Sequence, residues 1–184
     1  MDAPVDETGR SEAMTSTYSI RSATGADASR IAEIYAPYVR DTPASFEIDP
    51  PRPQEMLGRI EAGARTYPWL VAEDGAAVVG YAYGGEFRRR AAYRWSAEVS
   101  VYIDMNCRSR GAGRALMNRL LDELRAGDFA NAFAGVTLPN PASVRLFESL
   151  GFEPIGVFRN VGYKFGAWHD VGWWQLPLRE LRSD

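Results

Sequence analysis

The stretch Arg108-Ser109-Arg110-Gly111-Ala112-Gly113-Arg114 has the residue types of an anion-binding turn. It follows an alternating run, Ala97 to Ile103, and precedes a stripe of Leu116, Leu120, Leu121 and Leu124 at helical spacing. A glycine-containing turn between a strand and a helix N-terminus presents unpaired backbone N–H groups and the positive end of the helix dipole, which together suit a pyrophosphate. Glycine lets the backbone approach phosphate oxygens closely, and Arg108, Arg110 and Arg114 add charge. The spacing is not G-x-G-x-x-G, and the Lys-Ser/Thr of a P-loop is absent, which disfavours nucleotide dehydrogenases and NTPases. Taken alone, the same residues also describe an ordinary tight turn.

Glu98 is the second chemically suggestive residue. In the run Ala97-Glu98-Val99-Ser100-Val101-Tyr102-Ile103, the apolar set Ala97, Val99, Val101 and Ile103 alternates with Glu98, Ser100 and Tyr102. The two sets face opposite sides of a sheet. Burial there would raise the carboxyl pKa toward neutrality, which suits a general base; spacing alone equally allows an ion-paired or solvated glutamate. Arg88, Arg89, Arg90 and Arg94, flanking Tyr93 and Trp95, form a basic loop whose guanidinium groups suit carboxylate, phosphinate or sulfoximine oxygens, or face solvent. His169 beside Trp168 reads as a packed histidine rather than a base.

The elements that must position these groups follow from periodicity. Tyr18 to Arg21 alternates as a short strand. Thr24 and Asp27 resemble a capping box before Ile31, Ile34, Tyr35, Tyr38 and Val39 at helical spacing, with Pro37 expected to kink or split that helix. Pro53 opens a second helix running to about Ala64. Strands at 69–72 and 78–82 flank Asp74-Gly75, a hairpin signal. After the strand carrying Glu98 comes a helix following Gly113, then a strand at 133–137. Asn140 and Pro141 are placed as N-cap and first residue of a helix that stops at Gly151. Strands near 155–161 and 171–178 close the chain. The order β-α-α-β-β-β-α-β-α-β-β indicates one mixed α/β domain over 18–184, preceded by a polar, acidic stretch, 1–17, read as a mobile tail.

Composition bounds the rest. The chain has 184 residues, 46% apolar and 24% charged, with 21 basic and 24 acidic side chains. That balance does not indicate a generally basic nucleic-acid surface. One cysteine, Cys107, excludes an intrachain disulfide, and with a single histidine no metal site is expected. No apolar run approaches the roughly 18 residues of a membrane helix. The first residues lack the apolar centre of a signal peptide, so a cytoplasmic location is expected.

Arg108-x-x-Gly111-x-Gly113 after this strand, then Asn140, then Leu146-Phe147-Glu148-x-Leu150-Gly151-Phe152, resembles the acetyl-CoA-binding core of the GNAT acetyltransferases. Tyr67 to Glu73, Ala97-Glu98-x-x-Val101-Tyr102, Leu138-Pro139-Asn140 and the segment Gly162-Tyr163-Lys164-Phe165-Gly166-x-Trp168-His169-Asp170-Val171-Gly172 are similar to the phosphinothricin N-acetyltransferase subfamily. The similarity spans about residues 18–178.

The resemblance implies a GNAT fold: a mixed, mostly antiparallel twisted sheet with about four helices, splayed between the fourth and fifth strands. It implies acetyl-CoA as co-substrate without a metal, held by the backbone of Val101, Tyr102 and Ile103 and of Ser109, Arg110, Gly111, Ala112, Gly113 and Arg114. Asn140 would bond the pantetheine arm, with Ser143 nearby. It implies Glu98 as general base, acting directly or through water. Phe46, Arg90 and Tyr93 match acceptor-pocket positions, and a homodimer is the common assembly. The acceptor would be the α-amino group of a small amino acid or analogue such as phosphinothricin, methionine sulfoximine or methionine sulfone. Another small amine, a protein N-terminus, or acyl-CoA binding without turnover stay open as alternatives. One position departs from the family pattern: where a Tyr or His proton donor is often found, this chain has Phe147, whose spacing fits a core residue.

Overall fold

A computed structural model describes residues 18–180; the stretch 1–17, expected to be a tail, and residues 181–184 lie outside the described residues. The elements are β1 (Ser19–Ser22), α1 (Ala28–Asp41), α2 (Pro53–Gly63), β2 (Trp69–Asp74), β3 (Ala77–Glu86), β4 (Ser96–Ile103), α3 (Ala112–Ala126), β5 (Asn131–Leu138), α4 (Pro141–Ser149), β6 (Glu153–Lys164) and β7 (Ala167–Pro177). The seven strands form one sheet in the order β1-β2-β3-β4-β5-β7-β6. Every neighbouring pair is antiparallel except β4 and β5, which run parallel and are joined by the crossover helix α3.

The alternation in β4 divides two cores. Ala97 and Val99 face α3, packing with Leu116, Met117, Leu120 and Leu124, all essentially inaccessible. Tyr81 and Tyr102 face the other way, toward Ile31, Ile34 and Tyr35 of α1 and Met56 and Ile60 of α2. The sheet is therefore the middle of three layers, as its two-sided apolar content requires.

Local signals place several termini. Thr24 and Asp27 form the expected capping box, around a short 3₁₀ turn that leads into α1, and Arg21 pairs with Asp27 at 2.8 Å. Asn140 caps α4 by accepting from the Ser143 N–H at 3.1 Å, with Pro141 at the first helical position. Gly151 adopts φ 90° just past the helix end.

Four details differ from the sequence reading. α1 runs through Pro37 to Asp41 as one helix; the carbonyl deprived of its donor belongs to Glu33, on the exposed side, where water can bond it. α3 starts at Ala112, which puts Gly113 inside its first turn. The β2–β3 turn is Gly75-Ala76, because Asp74 already pairs with Ala77. β6 and β7 are longer than expected, meeting in a tight hairpin at Lys164–Ala167. Their pairing slips between Pro154 and Gly156 and again between Phe158 and Gly162, and such bulges erase the two-residue alternation that marks a strand in sequence.

Candidate active site

β4 and β5 pair over only three positions: Ser96 with Asn131, Ala97 with Ala132, and Glu98 with Phe133. Both strands continue, to Ile103 and Leu138, without further pairing to one another. A cleft of about 540 Å³ opens beside them, and Val101, Ile103, Gly111, Gly113, Asn140 and Ser143 are among the residues lining it.

Strand geometry decides which backbone groups face this cleft. The Asp104 N–H donates to Val79 O of β3 at 2.8 Å, so the N–H and C=O of Tyr102 also point to β3, while those of Val101 and Ile103 point away from it into the gap. Val101 therefore offers cleft-facing backbone groups that meet no neighbouring strand among the described residues. Ile103 is engaged: the Tyr38 hydroxyl donates to Ile103 O at 2.6 Å and accepts from the Ile103 N–H at 3.1 Å. Tyr102, expected with these two, has its backbone paired to Tyr81 and its ring in the α1 core, 4.8 Å from Tyr35 and 5.0 Å from Tyr38.

The turn at the far end of the cleft is built for close approach. Ser109 (φ 64°) and Gly111 (φ 90°) both take the left-handed conformation, and alternation of this kind aims successive N–H groups at one point. Gly111 is the N-cap of α3, and a Cβ there would meet nothing within 4 Å among the described residues. The next glycine faces the cleft wall: a Cβ on Gly113 would lie 3.5 Å from Leu146 and 3.7 Å from Ile103. Arg114 bonds the Ser149 hydroxyl at 2.7 Å, and the Arg108 guanidinium lies 5.0 Å over the Tyr38 ring. Ser109, Gly111, Gly113 and Arg114 line the cleft, whereas Ala112 is buried beneath the turn and Arg110 is exposed. Asn140 spends its carbonyl on the Ser143 N–H, which leaves its amide N–H groups as donors toward the cleft it lines. These groups match the needs of a long, anionic, amide-bearing substrate.

Glu98 lies on the opposite face of β4, at the last paired position. It bonds to no described side chain, and its burial pushes its pKa above the usual carboxylate range, with Arg88 the nearby charge that opposes the rise. Phe133, directly across on β5, stacks on Phe87 at 4.0 Å. The Arg88 guanidinium lies over Phe87 at 4.4 Å and near Trp173 at 5.6 Å. Sequence reasoning counted Arg88 among the arginines of the basic loop but missed its aromatic seat and its place near Glu98. The alternation of β5 hints at Phe133, but only the register shows that it stands opposite Glu98.

The three expected acceptor residues are not gathered at one point. Tyr93 is edge-on to Phe87 at 6.0 Å and so joins the cluster beside Glu98. Arg90 is exposed at the start of the 3₁₀ turn Ala91–Tyr93, and its side chain bonds no described residue. Phe46 brings the tip of its ring against Gly162, where a Cβ would come within 2.2 Å of it, and lies 6.2 Å from His169. Phe147 is 5% exposed and packs edge-on against Phe152 at 5.2 Å, a core residue as its spacing implied.

Known proteins resemble this chain in sequence and in fold. The acetyltransferase (GNAT) domain matches residues 20–173. The phosphinothricin N-acetyltransferase of Streptomyces viridochromogenes is 41% identical over 156 residues, 85% of each chain. The L-methionine sulfoximine/L-methionine sulfone acetyltransferase of Salmonella typhimurium is 38% identical over 162 residues, 88% of this chain and 95% of that one. The solved structure of a GNAT superfamily phosphinothricin acetyltransferase from Sinorhizobium meliloti, in complex with acetyl-CoA, superposes with a TM-score of 0.84 at 37% identity, covering 88% of each chain. With its domain match over most of the chain and the parted strands that lead to a glycine turn, this protein belongs to the GNAT acetyltransferases.

Proposed function

We propose that this enzyme transfers the acetyl group of acetyl-CoA to the α-amino group of a small amino acid or analogue of the phosphinothricin, methionine sulfoximine or methionine sulfone type, with Glu98 as general base. The observation that carries the reading is the position of Glu98: desolvated, bonded to no described side chain, at the point where β4 and β5 part, near an arginine held on aromatic rings.

An amine attacks a thioester only when neutral, yet an α-amino group is mostly protonated at pH 7. A carboxylate with a raised pKa accepts that proton without holding it too weakly, and one intervening water extends its reach. Val101, whose N–H faces the gap on the same strand, is the donor placed for charge that develops on the thioester oxygen. In the cleft, the turn from Ser109 to Arg114 binds the pyrophosphate and the Asn140 amide bonds the pantetheine arm. Arg88, with Tyr93 and Arg90 on the same loop, takes the anionic end of the acceptor, and Phe46 closes the pocket from the α1 side.

Release of CoA thiol, followed against a panel of amino acids and amines including phosphinothricin and methionine sulfoximine, tests the assignment. Selective release with the amino-acid analogues is expected. Release only with a peptide N-terminus, or acetyl-CoA binding with no release, overturns it.

Phe147 supplies no proton to the departing thiolate, which is a tolerable leaving group without one. Phe147→Tyr is expected to leave kcat unchanged and to lower stability by about 1–3 kcal/mol, because it buries a hydroxyl among Phe152 and its neighbours. Steady-state kinetics beside thermal unfolding read both effects, and a rise in kcat would mean that position 147 reaches the thiolate.

The enzyme acts as a homodimer in this reading. β6 is an edge strand, and Ile155, Val157, Phe158 and Val161 on it are each about half exposed, an apolar surface a second copy would cover. Light scattering on the native chain and on Val157→Glu tests this, with a monomeric native chain as the contrary result. Acetyl-CoA is a cytoplasmic thioester, which favours that compartment; no helix among the described residues is long and apolar enough to cross a membrane.

A further inference from the structure

Lys164 is the last residue of β6 and is 5% exposed, deep for an ammonium group. Its Nζ donates to three backbone carbonyls: Val39 at 2.5 Å, Ser45 at 2.7 Å and Thr42 at 3.2 Å. Three donors meet three acceptors, so the group is fully satisfied without a carboxylate contact. Glu47, the carboxylate acting on it, already bonds Arg59 and Tyr35. Val39 lies in the last turn of α1, where carbonyls lack helical partners and the dipole is negative, so a cation is well placed there.

The carbonyls that Lys164 holds belong to a segment with a second job. Thr42, Pro43 and Ala44 form part of the wall of the cleft assigned to acetyl-CoA. Phe46, on the same segment, is pressed on Gly162, two residues before Lys164. The other side of the segment is tied to the helices: the Tyr35 hydroxyl meets the Ser45 hydroxyl at 2.7 Å and donates to Glu47 at 2.8 Å, and Arg59 holds Glu47 at 2.7 and 2.9 Å. The lysine backbone is itself anchored, because its carbonyl lies 3.0 Å from His169 Nε2 across the hairpin.

We propose that Lys164 is a positioning residue for the acetyl-CoA site, its ammonium clamping the carbonyls of Val39, Thr42 and Ser45 so that segment 42–47 forms a fixed wall of the cleft. The clamp reaches the site through backbone carbonyls alone, so it constrains the path of the segment whatever its side chains. Its link to acetyl-CoA rests on the function proposed above; the clamping itself does not.

The test compares the native chain with Lys164→Met, which keeps an unbranched stem up to Cε and loses every donor. Hydrogen exchange of the amides in 42–47 is expected to quicken while that of α3 and β4 stays unchanged. The Kd for acetyl-CoA, from calorimetry without acceptor, is expected to rise about tenfold, the cost of losing one good charged hydrogen bond. At saturating acetyl-CoA, kcat is expected to stay within about twofold, because the clamp touches neither reacting atom. Lys164→Gln, with two donors on a shorter stem, is expected to fall between, and it decides the matter if the Met variant does not fold. Unchanged exchange in 42–47 overturns the clamp. A loss of kcat with an unchanged Kd overturns the positioning role, because Lys164 would then act on the chemistry. If the native chain binds no acetyl-CoA, the proposed function fails, and the exchange measurement alone still decides whether Lys164 holds the segment.

Discussion

Glu98→Gln is expected to lower kcat at pH 7 by roughly 10²- to 10⁴-fold, the range for loss of a general base, while the Kd for acetyl-CoA stays unchanged. The two effects separate because Glu98 faces away from the apolar side of β4, whereas the groups proposed to hold acetyl-CoA are the backbone of Val101 and of the turn after β4 and the side-chain amide of Asn140. Glutamine keeps the shape and loses only the proton acceptor. The native pH profile should show an acid limb with its midpoint above the usual carboxylate range, because burial raises this pKa. The variant should lack that limb.

Stability should move in the opposite sense. A carboxyl whose folded pKa lies above its unfolded value binds more protons when folded, so its charge costs stability as pH rises beyond the unfolded value. At pH 7 that cost is in force, and Glu98→Gln removes it. A higher Tm for the variant is therefore expected at pH 7, read by thermal unfolding of the two proteins side by side. At acid pH, below both pKa values, the two proteins should unfold together. Full turnover in the variant would remove Glu98 from the mechanism, and a lower Tm would show that the carboxylate is stabilised by a partner.

The second large effect is expected at the glycine turn. Gly111→Val should raise the KM for acetyl-CoA by at least about tenfold, equivalent to 1.4 kcal/mol, with kcat near native at saturation. Two costs add. Gly111 has φ 90°, and a β-branched residue there is strained by about 1–3 kcal/mol. Space around the missing Cβ is open among the described residues, so the added methyl groups meet no wall and take up room at the turn proposed to hold the pyrophosphate. Gly111→Ala separates the terms, since it keeps most of the backbone strain and adds less bulk. An unchanged KM in the valine variant, in a protein that folds, would move the pyrophosphate away from this turn. Kinetics against varied acetyl-CoA, with unfolding measured beside them, reads the outcome.

Much of the scaffold could be read from near neighbours in the chain. The Thr24–Asp27 box, the Asn140-Pro141 start of α4 and the Gly151 stop are contests between groups one to four residues apart, so residue type decides them. The alternation of β4 likewise placed Glu98 opposite Val99 and Val101 before any fold was known, because a pleated strand has period two. Phe147 in the core follows from helical spacing in the same way. Where local rules were met by an unusual backbone, the reading weakened: the bulges of β6 broke its pattern, and Pro37 did not end α1 because the orphaned carbonyl is on the exposed side.

What tertiary structure alone decided are the meetings between distant elements. The register that sets Phe133 across from Glu98, and the aromatic seat that brings Arg88 beside it, depend on how far β4 and β5 pair before parting. The hydroxyl of Tyr38 on Ile103, and the ammonium of Lys164 on Val39, Thr42 and Ser45, join a side chain to backbone atoms 65 and 119 to 125 positions away. Such bonds leave no pattern in a sequence, because every residue carries the same carbonyl and only the folded path determines which one a side chain will find.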